Sequence, residues 1–340
     1  MSIFSDFIPQ NIAPVNTRRI AIFDKNGNRI GQIPLERLTP PNNSKKLYSF
    51  LLLSDVHMVY ETGLEDTRRA LQYANNNTDI KFVCIAGDLG KDGTEAEFQL
   101  FEEMVNTYYS KNKVYVSAGN HEYYKTTSHN YFEKYTEKPL YYTFKYNNDL
   151  FVMVGVVSGT EGELFTEGEL QWLYETLEAN RDKRVFLLEH ILTSEGCGDA
   201  LLLYPYAKLA NKTESIVFKS LLKHYTNAIF IHGHSHMRFE LQKYNYLANY
   251  DKNFGCHSVH VPSISIPRDV NDELNNFVVY TEGSEGYIVD VYENGIHLRG
   301  RDFAKGKFLP IASYWLDTTI QPIQANAYVD DTGTIITDNV

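Results

Sequence analysis

The stretch IFIHGHSHMRF, residues 229–239, decides how this chain reads. An apolar triplet, Ile229-Phe230-Ile231, runs straight into His232-Gly233-His234-Ser235-His236, three imidazoles in five positions. A short apolar, β-branched run followed by Gly and Ser reads as a buried strand ending in a loop. Imidazoles crowded just past a strand end point to a ligand rather than to packing.

Four upstream runs repeat the design. Leu51-Leu52-Leu53 leads into Ser54-Asp55-Val56-His57, and Val83-Cys84-Ile85-Ala86 into Gly87-Asp88. Val114-Tyr115-Val116 leads toward Gly119-Asn120-His121-Glu122, and Phe186-Leu187-Leu188 into Glu189-His190. Helical patterns fall between them. Phe98, Phe101, Met104, Val105 and Tyr108 recur on one helix face, with Thr94 and Glu97 spaced as a capping box at its start. Thr166 and Glu169 repeat that signature ahead of Leu170, Leu173 and Leu177. Alternating strands and helices predict an α/β protein with a layered sheet. In open α/β sheets the ligand crevice lies at the carboxyl ends of the strands, so the five polar clusters are expected to converge there. The residues alone do not separate a doubly wound sheet from a sandwich of two sheets.

Each cluster has a plain structural reading by itself. Asp-x-His and Gly-Asp pairs are common at turns, Gly and Asn favour turns for backbone reasons, and a lone buried His is usually a satisfied core residue. Five such clusters in one order, each behind an apolar run, favour a shared metal site. Imidazole and carboxylate ligands suit two divalent ions of Mn, Fe, Zn or Co, and the lack of Cys in the set argues against a structural zinc. Only Asp55 and Asp88 are carboxylates in the strand-end set, so two divalent ions would leave the pocket net positive, as a phosphate ester requires. Water bridging such ions is acidified toward hydroxide near neutral pH.

The composition limits the partners. Lys and Arg total 32 against 43 Asp and Glu, a formal charge of −11. That balance argues against duplex nucleic acid, whose binding rests on phosphate neutralisation, but not against a small phosphorylated substrate. Cys84, Cys197 and Cys256 are dispersed and odd in number, which argues against a disulfide framework and predicts a reducing, cytoplasmic setting. No run approaches the roughly 18 apolar residues of a membrane span, so no membrane partner is expected.

Residues 1–45 read as an appendage: RRIAIFD and RIGQIPL flank the Asn26-Gly27 turn pair of a β-hairpin, and LTPPNNS (38–44) reads as a linker. Residues 46–310 are expected to form the catalytic domain. Within it YIVDVY (287–292) and IHLRGR (296–301) flank Glu293-Asn294-Gly295 as a second hairpin. Residues 311–340 form a polar C-terminal tail containing the turn-like DDTGT (330–334). Segments 123–142 and 193–210 are expected to border the site. The tyrosines of the first, Tyr123, Tyr124, Tyr131, Tyr135, Tyr141 and Tyr142, are expected to pack rather than stack a substrate.

Taken together, DVH (55–57), GD (87–88), GNHE (119–122), His190 and GHSH (233–236) resemble the signature of the calcineurin-like metallophosphoesterase superfamily. The resemblance implies a four-layer β-sandwich flanked by helices. It implies that Asp55, His57 and His236 bind one ion, that Asn120, His190 and His234 bind the other, and that Asp88 bridges both. It makes His121 the general acid that protonates the leaving oxygen. His232, beside the motif, is expected to pack. In protein-phosphatase-like members an Asp three residues past the bridging Asp orients the catalytic His; here that position is Lys91, with Asp92 following. Purple acid phosphatases carry a metal-binding Tyr there, a role Lys91 cannot fill. The segment GDLGKDG (87–93) is similar to that of cyclic-nucleotide phosphodiesterases, so a phosphodiesterase is the expected activity. A phosphomonoesterase or nuclease of the same fold, or a non-catalytic scaffold, are the alternatives.

Overall fold

Phe50 and Leu51 are neighbours on one strand, both fully buried, and they belong to different cores. The computed structural model describes residues 19–23, 29–34, 39–58, 61–125, 130–157, 164–191, 213–240, 256–271, 276–279, 282–319, 327–329 and 335–337. The Asn26-Gly27 turn, the 193–210 segment, Cys197 and the DDTGT turn lie outside them. Chain order begins with β1 (Arg19–Phe23), β2 (Arg29–Pro34), β3 (Lys46–Leu53), α1 (Glu61–Asn76), β4 (Ile80–Ala86), α2 (Glu95–Tyr108), β5 (Val114–Ser117) and α3 (Asn130–Thr136). It continues through β6 (Tyr141–Tyr146), β7 (Asp149–Val154), α4 (Glu167–Glu178), β8 (Val185–Leu188), α5 (Thr213–His224), β9 (Ala228–His232) and β10 (His257–His260). Then follow β11 (Arg268–Asn271), β12 (Asn276–Val279), β13 (Glu285–Tyr292), β14 (Gly295–Asp302), β15 (Lys307–Asp317), β16 (Ala327–Val329) and β17 (Ile335–Thr337).

Two mixed sheets carry the fold. One has the order β15-β14-β13-β3-β4-β5, the other β10-β9-β8-β7-β6. In the first, β3, β4 and β5 run parallel; in the second, β7, β8, β9 and β10 do. Side chains alternate across each strand, so every strand feeds two layers. Phe50, Leu52, Phe82 and Cys84 of the first sheet meet Phe151, Phe186 and Ile229 of the second. Phe50 stands edge-on to both Phe151 and Phe186 at 5.4 Å between ring centroids. Leu51, Leu53, Val83 and Ile85 face the other way, into a core that also holds Leu71, Phe98 and Phe101 from α1 and α2, and Leu173, Phe218 and Leu221 from α4 and α5. The result is the four-layer sandwich. Each fully buried Phe contributes about 1.5–3 kcal/mol of transfer free energy.

The ends of these elements follow local chemistry. At the start of α2 the Glu97 carboxylate accepts from Thr94 N–H at 2.8 Å, the expected reach-back of a capping box. At α4, Thr166 Oγ1 accepts from Glu169 N–H at 3.1 Å. Both Glu169 carboxylate oxygens are buried without a hydrogen-bond partner. Burial, reinforced by the Glu189 carboxylate, pushes Glu169 up to about 8.

The expected hairpins pair as read. β13 and β14 run antiparallel with Val291 opposite Ile296, and β1 and β2 with Ile20 opposite Ile33. β15 pairs with β14 as far as Asp317, so the sheet continues through residue 311. At the amino ends of the parallel strands, Arg184 binds Asp149 through two 2.9 Å contacts and donates to the carbonyl of Tyr292 at 2.8 Å. Tyr48 Oη donates to the same carboxylate at 2.6 Å. That buried network ties the two sheets together at one end; the carboxyl ends meet at the other. Among the described residues no helix is long and apolar enough to cross a membrane.

Candidate metal centre

Five of the seven non-glycine residues with positive φ among the described residues are Asp55, His57, Asp88, His234 and His236. Left-handed backbone costs an ordinary L-residue about 1–2 kcal/mol. Strain of this kind persists where a site over-determines the geometry. Each of these residues sits in the loop just past a parallel strand, and the turned backbone aims its side chain across the gap between the sheets.

The aim is convergent. Asp55 is fully buried, and its Oδ1 lies 2.9 Å from His236 Nε2, 3.8 Å from His190 Nε2 and 3.9 Å from His57 Nε2. Asp88 Oδ2 lies 3.0 Å from His190 Nε2 and 3.8 Å from His57 Nε2. His57 Nε2 faces His236 Nε2 at 3.2 Å, and His234 Nδ1 faces His190 Nε2 at 3.3 Å. Two groups emerge whose donor atoms lie within 4.8 Å of one another: Asp55, His57, Asp88 and His236, and Asp88, His190 and His234. Asp88 belongs to both.

Each carboxylate has one oxygen held and one aimed inward. Asp55 Oδ2 accepts from Ser54 Oγ at 2.6 Å and from His234 N–H at 3.1 Å. Ser263 and Ser265 donate to the Asp55 carbonyl. Asp88 Oδ1 accepts from the His121 N–H at 3.0 Å. Asp55 Oδ1 and Asp88 Oδ2 meet only ring nitrogens, those of His236 and His190 nearest, and the buried Oδ1 of Asn120 has no hydrogen-bond partner. A buried oxygen left so is costly unless a cation meets it. Asn120 donates its Nδ2–H to Tyr124 Oη at 2.8 Å, so Oδ1 is the end left to coordinate.

Protonation favours the same reading. Burial, reinforced by neighbouring imidazoles, pushes His57 and His234 down to about 3, and burial outweighs the Asp55 carboxylate to lower His236. Neutral rings keep a lone pair for a metal. Burial opposes ionisation of Asp55 and Asp88, but the surrounding His236, His190 and His121 outweigh it, and both carboxyls sit below their usual range. Burial also opposes a charged His190, yet Asp88 and Asp55 push it up to about 10. Its Nδ1 donates to the Ala86 carbonyl at 2.6 Å, so Nε2 is the atom presented to Asp88. A divalent ion would replace that proton. Nitrogen and oxygen donors in two groups sharing a carboxylate fit a pair of divalent cations.

His121 stands at the rim, its side chain 21% exposed and its Nε2 3.8 Å from Asp88 Oδ2. The Asp92 carboxylate does not orient it; that group pairs with Lys125 at 2.6 Å. Instead His121 Nδ1 donates to the backbone carbonyl of Lys91. Glu97 fixes that carbonyl's loop by accepting from the amides of Lys91 and Asp92 at 3.0 and 3.2 Å. Three further residues, assigned no role of their own from the sequence, support the site. Ser54 holds Asp55. Glu122 accepts the amide N–H groups of Asp88, Leu89, Gly90 and Gly119, pinning the two Gly-containing loops together. Ser235 Oγ lies 2.7 Å from His260 Nε2, inside the His234–His236 turn. His232 is buried, 3.3 Å from Ser258 Oγ and stacked on Phe230, apart from both donor groups.

A family description, calcineurin-like phosphoesterase, matches residues 48–238, more than half of the chain. The chain belongs to the calcineurin-like phosphoesterase family. Members of this family are metal-dependent hydrolases of phosphoric esters. A search of the curated proteins finds no match to this phosphoesterase. Among solved structures it is similar to the purple acid phosphatase PPD1 from yellow lupin (Lupinus luteus) seeds, at 13% identity and a TM-score of 0.55. That alignment covers 86% of this chain and 58% of the lupin protein, so the present chain spans little more than half of that relative's length. The likeness is one of fold. The sulfate thiohydrolase SoxB of Thermus thermophilus aligns at 11% identity over 81% of this chain and 58% of that one, with a TM-score of 0.42. The vacuolar protein sorting 29 protein of Cryptosporidium parvum aligns at 12% identity over 80% and 100%, with a TM-score of 0.39.

Proposed function

We propose that this phosphoesterase hydrolyses a small phosphoric diester at two divalent ions, the first held by Asp55, His57 and His236, the second by Asn120, His190 and His234, with Asp88 bridging. The observation that carries the reading is Asp88, whose buried carboxylate is common to both donor groups. A carboxylate can bridge two ions, and an imidazole normally cannot. When bound, the ions supply a Lewis acid for the phosphoryl oxygens and acidify water near neutral pH.

The chain's own residues do the rest. Ser54 and the His234 amide hold Asp55 so that one oxygen faces inward. Asp55 and Asp88 stay ionised, and His57, His234 and His236 stay neutral. With only two carboxylates the loaded pocket is net positive, which draws an anionic phosphate into a protein whose total charge is −11. His121 is the proton donor to the leaving oxygen. The Lys91 carbonyl takes its Nδ1–H, which leaves Nε2 facing the site.

The diester preference rests on Gly87–Gly93, GDLGKDG, and its likeness to the cyclic-nucleotide type. Manganese, iron, zinc and cobalt all suit the donors. A cytoplasmic setting is consistent with Cys84 and Cys256, both buried and unbridged. The catalytic unit, expected over 46–310, is taken to run on to Asp317, where β15 ends, with 1–45 and 318–340 as appendages.

A panel of linear diesters, cyclic nucleotides and phosphomonoesters, assayed with Mn²⁺, tests the reading. Turnover of diesters above monoesters is the expected result. Faster turnover of monoesters would overturn the diester assignment, and stoichiometric metal without turnover of any ester would point to the scaffold.

A further inference from the structure

Of the tyrosines in 123–142, most pack, as their composition suggests. Tyr123 and Tyr135 are buried, Tyr142 Oη bonds both the N–H and the carbonyl of Val116, and Tyr141 lies against Trp172. Tyr124 differs. It is 50% exposed, and its ring centroid lies 4.1 Å from that of His121 at an interplanar angle of 38°. The cause is local: His121–Tyr123 forms a single 3₁₀ turn capped by Tyr124, and residues i and i+3 of such a turn eclipse. The Tyr124 hydroxyl is engaged by the Asn120 amide at 2.8 Å. The hydroxyl end is therefore fixed to Asn120, and half of the residue's surface is exposed beside His121.

We propose that Tyr124 is a specificity-determining residue: its ring is the platform for a planar aromatic alcohol portion of the substrate, an aryl leaving group. The proposal rests on the phosphoesterase reading and names the substrate class of that same site. A leaving oxygen protonated by His121 must come within about 2.6–3.2 Å of Nε2. The group bonded to that oxygen is then within a few ångströms of the Tyr124 ring. A flat group there gains stacking area, and a ring already held by its hydroxyl loses little freedom on contact. A short alkyl group at the same place reaches less of the ring. An aromatic face contributes a roughly 2- to 13-fold preference by this kind of contact.

Non-hydrolysable ligands test the platform apart from the chemistry. Phenylphosphonate and ethylphosphonate are titrated calorimetrically into the Mn²⁺-loaded full chain, wild type, Tyr124→Phe and Tyr124→Ala. The expected result is a several-fold preference for phenylphosphonate in wild type, kept in Tyr124→Phe, which retains the ring, and reduced to near parity in Tyr124→Ala. A preference unchanged in Tyr124→Ala, or absent in wild type while both phosphonates bind, would overturn the platform alone. Failure of the metal-loaded wild type to bind either phosphonate would overturn the phosphoesterase reading and the platform with it.

Discussion

His121 shows how little of a site's chemistry resides in the side chain itself. Its Nδ1 is fixed by a carbonyl and its own N–H is spent on Asp88, so only Nε2 remains for substrate. His121→Ala is expected to retain both ions, read by metal analysis, and to lose roughly 10²–10⁴-fold in turnover. The loss is expected to be largest for poor leaving groups, which need the proton most; equal loss on good and poor leaving groups would contradict the acid role. Glu169 makes a different prediction. A carboxyl raised to about 8 contributes stability that is fully present below about 4.5 and lost as pH climbs through 8. Over that window the folded state carries one more proton than the unfolded, so wild type loses about 1.4 kcal/mol per pH unit at this group. Glu169→Gln, which has no such proton to lose, is expected to gain on wild type by that slope between pH 5 and 8 in denaturant titrations of the metal-free protein. Parallel curves would mean that Glu169 titrates normally in the fold.

At the scale of elements, the site depends on loops that touch without room for a side chain. A methyl placed on Gly233 would fall 1.9 Å from Ser54 Oγ and 2.5 Å from Asp55 Oδ2; one on Gly119 would fall 2.2 Å from Asp88 Oδ1. Gly233→Ala is therefore expected to lift the β9 loop off β3, displacing the Ser54–Asp55 pair together with His234 and His236. Near-native far-ultraviolet circular dichroism with a lowered Tm and weakened binding of both ions is the expected outcome. Full metal occupancy in Gly233→Ala would show that the loops do not need this contact. The strand-end clusters were legible in the sequence because an apolar run and its polar end are adjacent there, as in Leu51-Leu52-Leu53 before Asp55. The layering was not. Phe50 and Leu51 are equally apolar, and nothing in the order of letters says that one faces a second sheet and the other a helix. Ser54, Glu122 and the Lys91 carbonyl were illegible for a related reason. They act on backbone groups, or through them, and those partners appear only when the loops meet.

Across the whole molecule the two sheets are joined at both ends by different means. At the amino ends of the strands the Arg184–Asp149 pair and the Tyr48 hydroxyl do it with protein groups alone. At the carboxyl ends Asp55, His57, Asp88 and Asn120 follow strands of one sheet, and His190, His234 and His236 follow strands of the other. Each proposed ion would therefore draw ligands from both layers and cross-link them. Removing metal should then cost global stability as well as turnover. A ligand at 100 times its Kd stabilises by about 2.7 kcal/mol, so chelation is expected to lower Tm by several degrees. Asp88→Asn is the decisive variant, because this side chain alone belongs to both donor groups. Losing its charge is expected to weaken both ions together, so that Tm in excess Mn²⁺ approaches that of the chelated protein. Metal analysis after gel filtration reads the two sites directly. One ion retained at full occupancy in Asp88→Asn would show that Asp88 serves a single metal, and the bridge would have to be sought in another residue.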